Sequence, residues 1–185
     1  MKLNFYALRA MYLHEMDRFR RTLTQSLLSP VLSTSLYFIV FGSVIGDYVQ
    51  NIDGISYGSY IVPGLLMLTL LTQSISNTSF GIFFPKFNGT IYEILAAPVS
   101  TLEVVLAFVG AGATKTLMVG VVIFITSLFF VDVTVKYPLL MIFLLVLVAF
   151  TFALFGFLIG LMSSNFEQMS ICLLYTSDAA DDAWC

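Results

Sequence analysis

Lys115 is the residue whose type and position most suggest chemistry, because its charge lies well inside a long apolar run. An ionisable side chain within a membrane span is a functional hypothesis by default. The competing explanation is that its long stem carries the ammonium group to the interface, since the run 102–131 is longer than a bilayer requires. The pattern favours snorkelling, or an interfacial ion pair, over a functional site.

The segment around this lysine, Gly-Ala-Gly-Ala-Thr-Lys-Thr at 110–116, has a faint likeness to a phosphate-binding loop. That loop has the pattern Gly-x-x-x-x-Gly-Lys-Ser/Thr, in which backbone N–H groups cradle phosphates. In this chain Thr114 stands directly before the lysine and Val109 stands at the first glycine position. The chain therefore does not bind ATP through this motif.

Other patterns that carry chemistry are missing from the sequence. It contains no Ser-His-Asp set, no His-Glu-x-x-His motif and no paired carboxylates within its apolar runs. The single histidine, His14, falls on the polar face of a predicted helix. The few basic residues lie near the membrane, which gives no support to nucleic-acid binding. We predict no catalytic, cofactor-binding or metal-binding residues.

The segment 87–103 lies between two long apolar runs and is the strongest candidate for an interaction site. Thr90 followed three residues later by Glu93 reads as a capping box, which predicts a short helix over 90–97. Pro98 ends that helix because the residue before a proline is pushed out of the α region. A short helix outside the bilayer suggests a docking element. The alternative is a plain connector on the membrane surface.

Two polar side chains, Gln73 and Asn77, stand in an unusually polar half of the second apolar run. Polar groups need partners in hydrocarbon. We expect them to face other helices or a hydrated path, with plain interhelical hydrogen bonding as the simpler explanation.

The composition indicates an integral membrane protein. The chain has 185 residues, of which 59% are hydrophobic and only 10% charged, and its mean hydropathy is +0.96. A soluble domain carries about 25% charged residues. Charged residues between Arg9 and Arg21 interrupt any apolar core of a cleavable signal peptide.

The periodicity of apolar residues predicts an all-α architecture with an N-terminal amphipathic helix and four spans. Residues 3–25 read as one amphipathic helix, which favours a helix lying in the interface, with a helix packed on another subunit as the alternative. Its apolar stripe consists of Phe5, Leu8, Tyr12, Met16, Phe19 and Leu23, and its opposite face carries His14, Asp17 and Arg21. A span needs about 20 largely apolar residues. Four runs meet that length: 27–45, 60–84, 102–131 and 139–162.

Basic residues in the flanks predict the orientation. Five precede the first span, at Lys2, Arg9, Arg18, Arg20 and Arg21, whereas the first loop contains Asp47 and Asp53 and no basic residue. The positive-inside rule therefore places the N-terminus in the cytoplasm and the first loop outside. Alternation then puts 87–103 inside.

Small residues indicate where helices meet. Gly42 with Gly46 and Gly156 with Gly160 both form Gly-x-x-x-Gly, and Gly110, Gly112 and Gly120 lie along the third span. Small side chains let helix backbones approach closely in lipid.

Several of these segments together resemble the permease subunit of bacterial type-2 ABC exporters. They are the basic amphipathic N-terminal helix, Leu-Tyr-Phe-Ile-Val-Phe-Gly-Ser-Val-Ile-Gly at 36–46, Tyr-Ile-Val-Pro-Gly-Leu at 60–65, Glu-Ile-Leu-Ala-Ala-Pro at 93–98 and Ser-Leu-Phe-Phe-Val at 127–131. The resemblance runs from about residue 3 to 171.

The resemblance implies a partner system. Permeases of this family have six spans, act as dimers and join separate ATP-binding cassette subunits, which hold ATP and Mg. Their coupling helix lies between the second and third spans. It would map onto Thr90, Ile91, Tyr92, Glu93, Ile94, Leu95, Ala96, Ala97 and Pro98, with Glu93 as the main polar contact, and the family's interfacial helix onto 3–25.

The chain departs from the family pattern at its end. A fifth span should begin near 169–171, but a short acidic stretch occupies 172–185. That stretch resembles translated sequencing-adaptor read-through, so we expect the native permease domain to end at about 171, after the first four spans.

We therefore predict a non-enzymatic permease subunit of an ATP-driven exporter in the bacterial inner membrane, paired with an ATP-binding subunit and a second permease copy. The alternatives are a membrane-embedded lipid-modifying transferase and a channel or scaffold without an ATPase partner. A transferase would need clustered polar or metal-binding residues, which the sequence lacks.

Overall fold

The computed structural model describes residues 4–40, 57–130 and 137–177. Over these residues the chain is helical and forms no strand. The helices, numbered in chain order, are α1 Phe5–Arg21, α2 Leu23–Val40, α3 Tyr57–Phe87, α4 Ile91–Ala96, α5 Thr101–Phe130, α6 Pro138–Met162 and α7 Phe166–Ser177. The predicted all-α membrane fold is confirmed.

The predicted span boundaries agree closely with the helices. Helices α3, α5 and α6 correspond to the apolar runs 60–84, 102–131 and 139–162. Pro138 is the first residue of α6, a position at which a backbone N–H would have no partner within the helix. The predicted helix 3–25 is shorter than expected: α1 ends at Arg21, and Thr22 at its C-cap separates it from α2.

By length and apolar composition, two of the described helices could cross a membrane, α5 and α6. A third crossing results if α1 and residues 26–40, bent by 59° from each other, act as one span. The polar second half of α3 lowers its hydropathy. The count of four spans therefore stays a prediction.

Helix α3 is the centre of the bundle, because it packs on both α6 and α5. At the Gly156/Gly160 motif the backbones of α6 and α3 are in direct contact. A Cβ added to Gly156 would lie 2.5 Å from the carbonyl oxygen of Ile75, and one added to Gly160 would lie 2.7 Å from that of Ser79. This predicted helix contact is confirmed. Of the three glycines on α5, Gly112 and Gly120 face Thr78 and Leu70 of α3, whereas Gly110 faces open space.

Serine hydroxyls reinforce the α3–α6 contact. Ser74 Oγ donates to the carbonyl of Ala149 at 2.7 Å, and Ser79 Oγ donates to that of Gly156 at 2.7 Å. The main apolar core is formed by residues of α3, α5 and α6: Ile82, Phe108, Val109, Ala113, Ala149, Ala153 and Phe157.

Several sequence predictions fall outside the described residues: the Gly42/Gly46 contact, the outward loop with Asp47 and Asp53, and the end of the chain from 178 onward. Helix α7 continues across the predicted boundary at 171 and ends at Ser177. That the stretch 172–185 is not native stays a prediction.

Candidate functional site

The short helix predicted over 90–97 is present as α4, between the ends of α3 and α5. Gly89, with φ of +78°, turns the chain out of α3 through a backbone conformation that favours glycine. The helix ends at Ala96, and its C-cap Ala97 is extended with ψ of 149°, as expected for a residue before a proline. Pro98 therefore stops the helix as predicted.

The predicted capping box at Thr90 and Glu93 does not form. Thr90 has helical angles, φ −62° and ψ −19°, and its side chain makes no capping hydrogen bond. An N-cap residue needs an extended backbone for its side chain to reach back to the first N–H groups. Backbone carbonyls serve instead, since the N–H groups of Tyr92 and Glu93 donate to Gly89 and Thr90 at 3.1 Å.

A second pattern of the same spacing, Ser100 with Glu103, was not predicted as a cap and caps the next helix. The Ser100 N–H donates to Oε2 of Glu103 at 2.9 Å, the reach-back contact of a capping box at the start of α5. Oε1 of the same carboxylate accepts the N–H of Asn4 at the start of α1. Glu103 is only 1% exposed, so this buried carboxylate joins α1 to the α4–α5 connection.

Helix α4 has one anchored face and one free face. Ile91 and Ile94 pack against the apolar core, beside a cavity of about 200 Å³ between α4 and the long helices. Away from the core Tyr92 is 73% exposed, and Glu93 is exposed beside it. Leu95 is 69% exposed at the edge of the same cavity. We call these three residues the α4 face.

The α4 face has the chemistry of a docking surface. It combines an aromatic ring, a branched aliphatic side chain and a carboxylate on a helix that its opposite side holds in place. Aromatic anchors with a charged neighbour are typical of protein interfaces. Nothing in this arrangement resembles a catalytic centre.

Gln73 and Asn77 lie half-buried on α3, on the part that carries the serine contacts with α6. The amide nitrogen of Asn77 is buried and has no hydrogen-bond partner among the described residues. The hydroxyls of Thr69 and Thr72 donate to backbone carbonyls one turn earlier in α3, at 2.7 and 3.0 Å. Hydrogen bonds to α6 account for the polar side chains of Ser74 and Ser79. The role of Gln73 and Asn77 stays a prediction.

Lys115 forms an ion pair, and an ion pair was one of the two arrangements that the sequence favoured over a functional site. Its side chain is buried in the middle of α5, and Nζ donates to Oε2 of Glu15 in α1 at 2.8 Å. The pair forms because the ammonium group inside the bundle needs an opposite charge. Glu15 is 2% exposed and was not predicted as a partner. A signal existed: Glu15 lies three residues after Tyr12 and four before Phe19, on the apolar stripe of α1.

The apolar stripe of α1 packs on α5, which was not predicted. Phe19 is buried and Leu8, Tyr12 and Met16 are half-buried, while His14, Asp17 and Arg21 are exposed as expected. The Tyr12 hydroxyl donates to Oγ1 of Thr114 at 3.0 Å. Burial against α5, rather than lipid alone, explains the amphipathic pattern.

The fold and the α4 face define an integral membrane protein of bundled helices that presents a short, partly exposed helix between two long ones. Comparison with known proteins agrees with this class. The family described as ABC-2 type transporter matches residues 6–174, and the chain belongs to that family.

Among curated proteins, the chain is 37% identical over 171 residues to the inner membrane transport permease YadH of Escherichia coli K12. The match covers 92% of this chain and 67% of the relative, and the permease of the same name from Shigella flexneri matches equally. No solved structure matches the chain. The chain is therefore a transport permease subunit.

Proposed function

We propose that the chain is the permease subunit of an ATP-driven exporter in the bacterial inner membrane. Its spans contribute to the translocation path, and a separate ATP-binding subunit, which holds ATP and Mg, docks on the α4 face. A second permease copy completes the path. Family membership and the inner-membrane name of the relatives support this assignment.

The observation that carries the proposal is the division of α4 into two faces. Ile91 and Ile94 fix the helix to the core, so a force applied to its outer face reaches α3 and α5 directly. Tyr92, Glu93 and Leu95 remain exposed, although two of them are large apolar side chains. Exposed apolar side chains grouped on one helix face mark an interaction site.

The basic N-terminal flank supports a cytoplasmic side for the N-terminus and α4, where ATP is available. Export, rather than import, follows from the resemblance to type-2 exporters.

The test is co-purification with the ATP-binding subunit from the same locus. Glu93→Lys should weaken the complex, because reversing a charge in a partner groove costs about 2–5 kcal/mol, whereas an exposed charge without a partner costs far less. Glu167→Lys is the matched control, since Glu167 is also exposed in the first turn of a helix. Equal recovery of the subunit with both variants would remove Glu93 from the interface.

A further inference from the structure

Helix α1 runs parallel to the first half of α5 and is held there at three places along its length. The contacts are Asn4 to Glu103, Tyr12 to Thr114 and Glu15 to Lys115. Eleven residues separate the first contact from the last on α1, about 17 Å of helix at about 1.5 Å per residue. We call these three contacts the α1–α5 joint.

The Glu15–Lys115 pair gives the joint a single register. Apolar side chains tolerate sliding of one helix along another, whereas a shift of one turn here would leave two opposite charges buried without partners. The pair also lies next to α3. A Cβ added at Gly81 would stand 3.5 Å from Oε2 of Glu15, which is an ordinary van der Waals contact.

Arg18 extends the joint to the end of α3. Its guanidinium lies 3.3 Å from Oε1 of Glu15 and 5.6 Å from the ring centre of Phe84. Phe84 is one turn from the end of α3, which leads through Gly89 into α4.

The other end of the joint reaches α4 through Glu103. This carboxylate holds the N–H of Ser100, between α4 and α5, and the N–H of Asn4 at the start of α1. The last turn of α3, which precedes α4, and the connection from α4 to α5 therefore both lead to α1: the first through Arg18, the second through Glu103.

We infer that the buried Glu15–Lys115 pair fixes the register of α1 on α5, so that the α1–α5 joint makes α1 and α4 move as one body when a partner displaces α4. Glu15 and Lys115 are positioning residues in this arrangement. The inference rests on the proposed docking of an ATP-binding subunit at α4.

The test measures the distance between spin labels at Ala10→Cys and Asn88→Cys, in a chain whose native cysteines are replaced by alanine. Both positions are exposed, one on α1 and one directly before α4. In the permease alone the parent should give one narrow distance distribution. With the ATP-binding subunit bound, its mean should be the same without nucleotide and with ATP plus vanadate.

Glu15→Gln and Lys115→Met should each broaden the distribution in the permease alone. The exchange Glu15→Lys with Lys115→Glu should narrow it in part, because it restores the pair with α5 but loses the contact with Arg18. Glu15→Asp keeps the charge and should give a width between those of the parent and of Glu15→Gln. This milder variant keeps the inference testable if the other variants do not insert into the membrane. Asp17→Asn, on the exposed face of α1, is the control and should leave the parent distribution unchanged.

Narrow distributions in Glu15→Gln and Lys115→Met would overturn the inference, as would a change in the mean distance between nucleotide states of the parent. The widths are measured without the partner. Failure of the ATP-binding subunit to bind the parent would instead contradict the proposed function, so the two failures are distinguishable.

Discussion

Ser79 of α3 donates its hydroxyl to the carbonyl of Gly156 in α6, at a place where the two backbones are in direct contact. The hydrogen bond is possible because Gly156 has no side chain to separate the helices. Close backbone approach and interhelical hydrogen bonds are what hold helices together in lipid, where burial of apolar surface gives little driving force.

Gly156→Ala should therefore destabilise the bundle by about 1–3 kcal/mol, the usual cost of overpacking a close contact. The added Cβ would lie 2.5 Å from the carbonyl oxygen of Ile75. Thermal unfolding in detergent measures the effect. Gly110→Ala is the control, since nothing lies within 4 Å of its added Cβ, and it should be neutral or slightly stabilising. Equal melting temperatures would contradict the close contact.

The sequence predicted the helices well because their ends are determined locally. Apolar runs set α5 and α6 to within a residue or two, and Pro98 and Pro138 determine where α4 ends and α6 begins. The Gly156/Gly160 contact was also predictable, since small residues one turn apart have one main use in a membrane helix.

The contacts of charged side chains were not predictable in the same way. Glu15 and Lys115 are 100 residues apart in the chain, and no local pattern shows which helices will meet. The capping box was assigned to Thr90 although Ser100 and Glu103 offer the same spacing. The spacing permits a cap, but only the backbone conformation at the first residue decides whether it forms.

Glu103→Gln should lower the free energy of unfolding by about 1–3 kcal/mol. The carboxylate accepts hydrogen bonds from two backbone N–H groups, and in the variant one of these would face an amide NH₂ group. The start of α1 should also become more accessible to protease. Melting temperature and limited proteolysis measure these effects. Glu93→Gln removes the same charge from an exposed position and should change stability by less than about 0.5 kcal/mol. Indistinguishable variants would mean that Glu103 does not hold the joint.

The proposed orientation, with the N-terminus in the cytoplasm, rests on the five basic residues ahead of the first span. A cysteine introduced at Asn51 should react with an impermeant thiol reagent from outside, and one at Asn88 only after the membrane is opened. Labelling of both from the same side would show that the predicted alternation of spans is wrong.

The central claim is that the α4 face contacts an ATP-binding subunit, and a photo-reactive amino acid at position 92 tests it most directly. Phe155, 55% exposed on the long apolar helix α6, provides the control position. We predict that irradiation cross-links position 92 to the subunit in the purified complex and that position 155 gives no such product. A complex that co-purifies but never cross-links from position 92 would contradict the assignment of α4 as the docking helix.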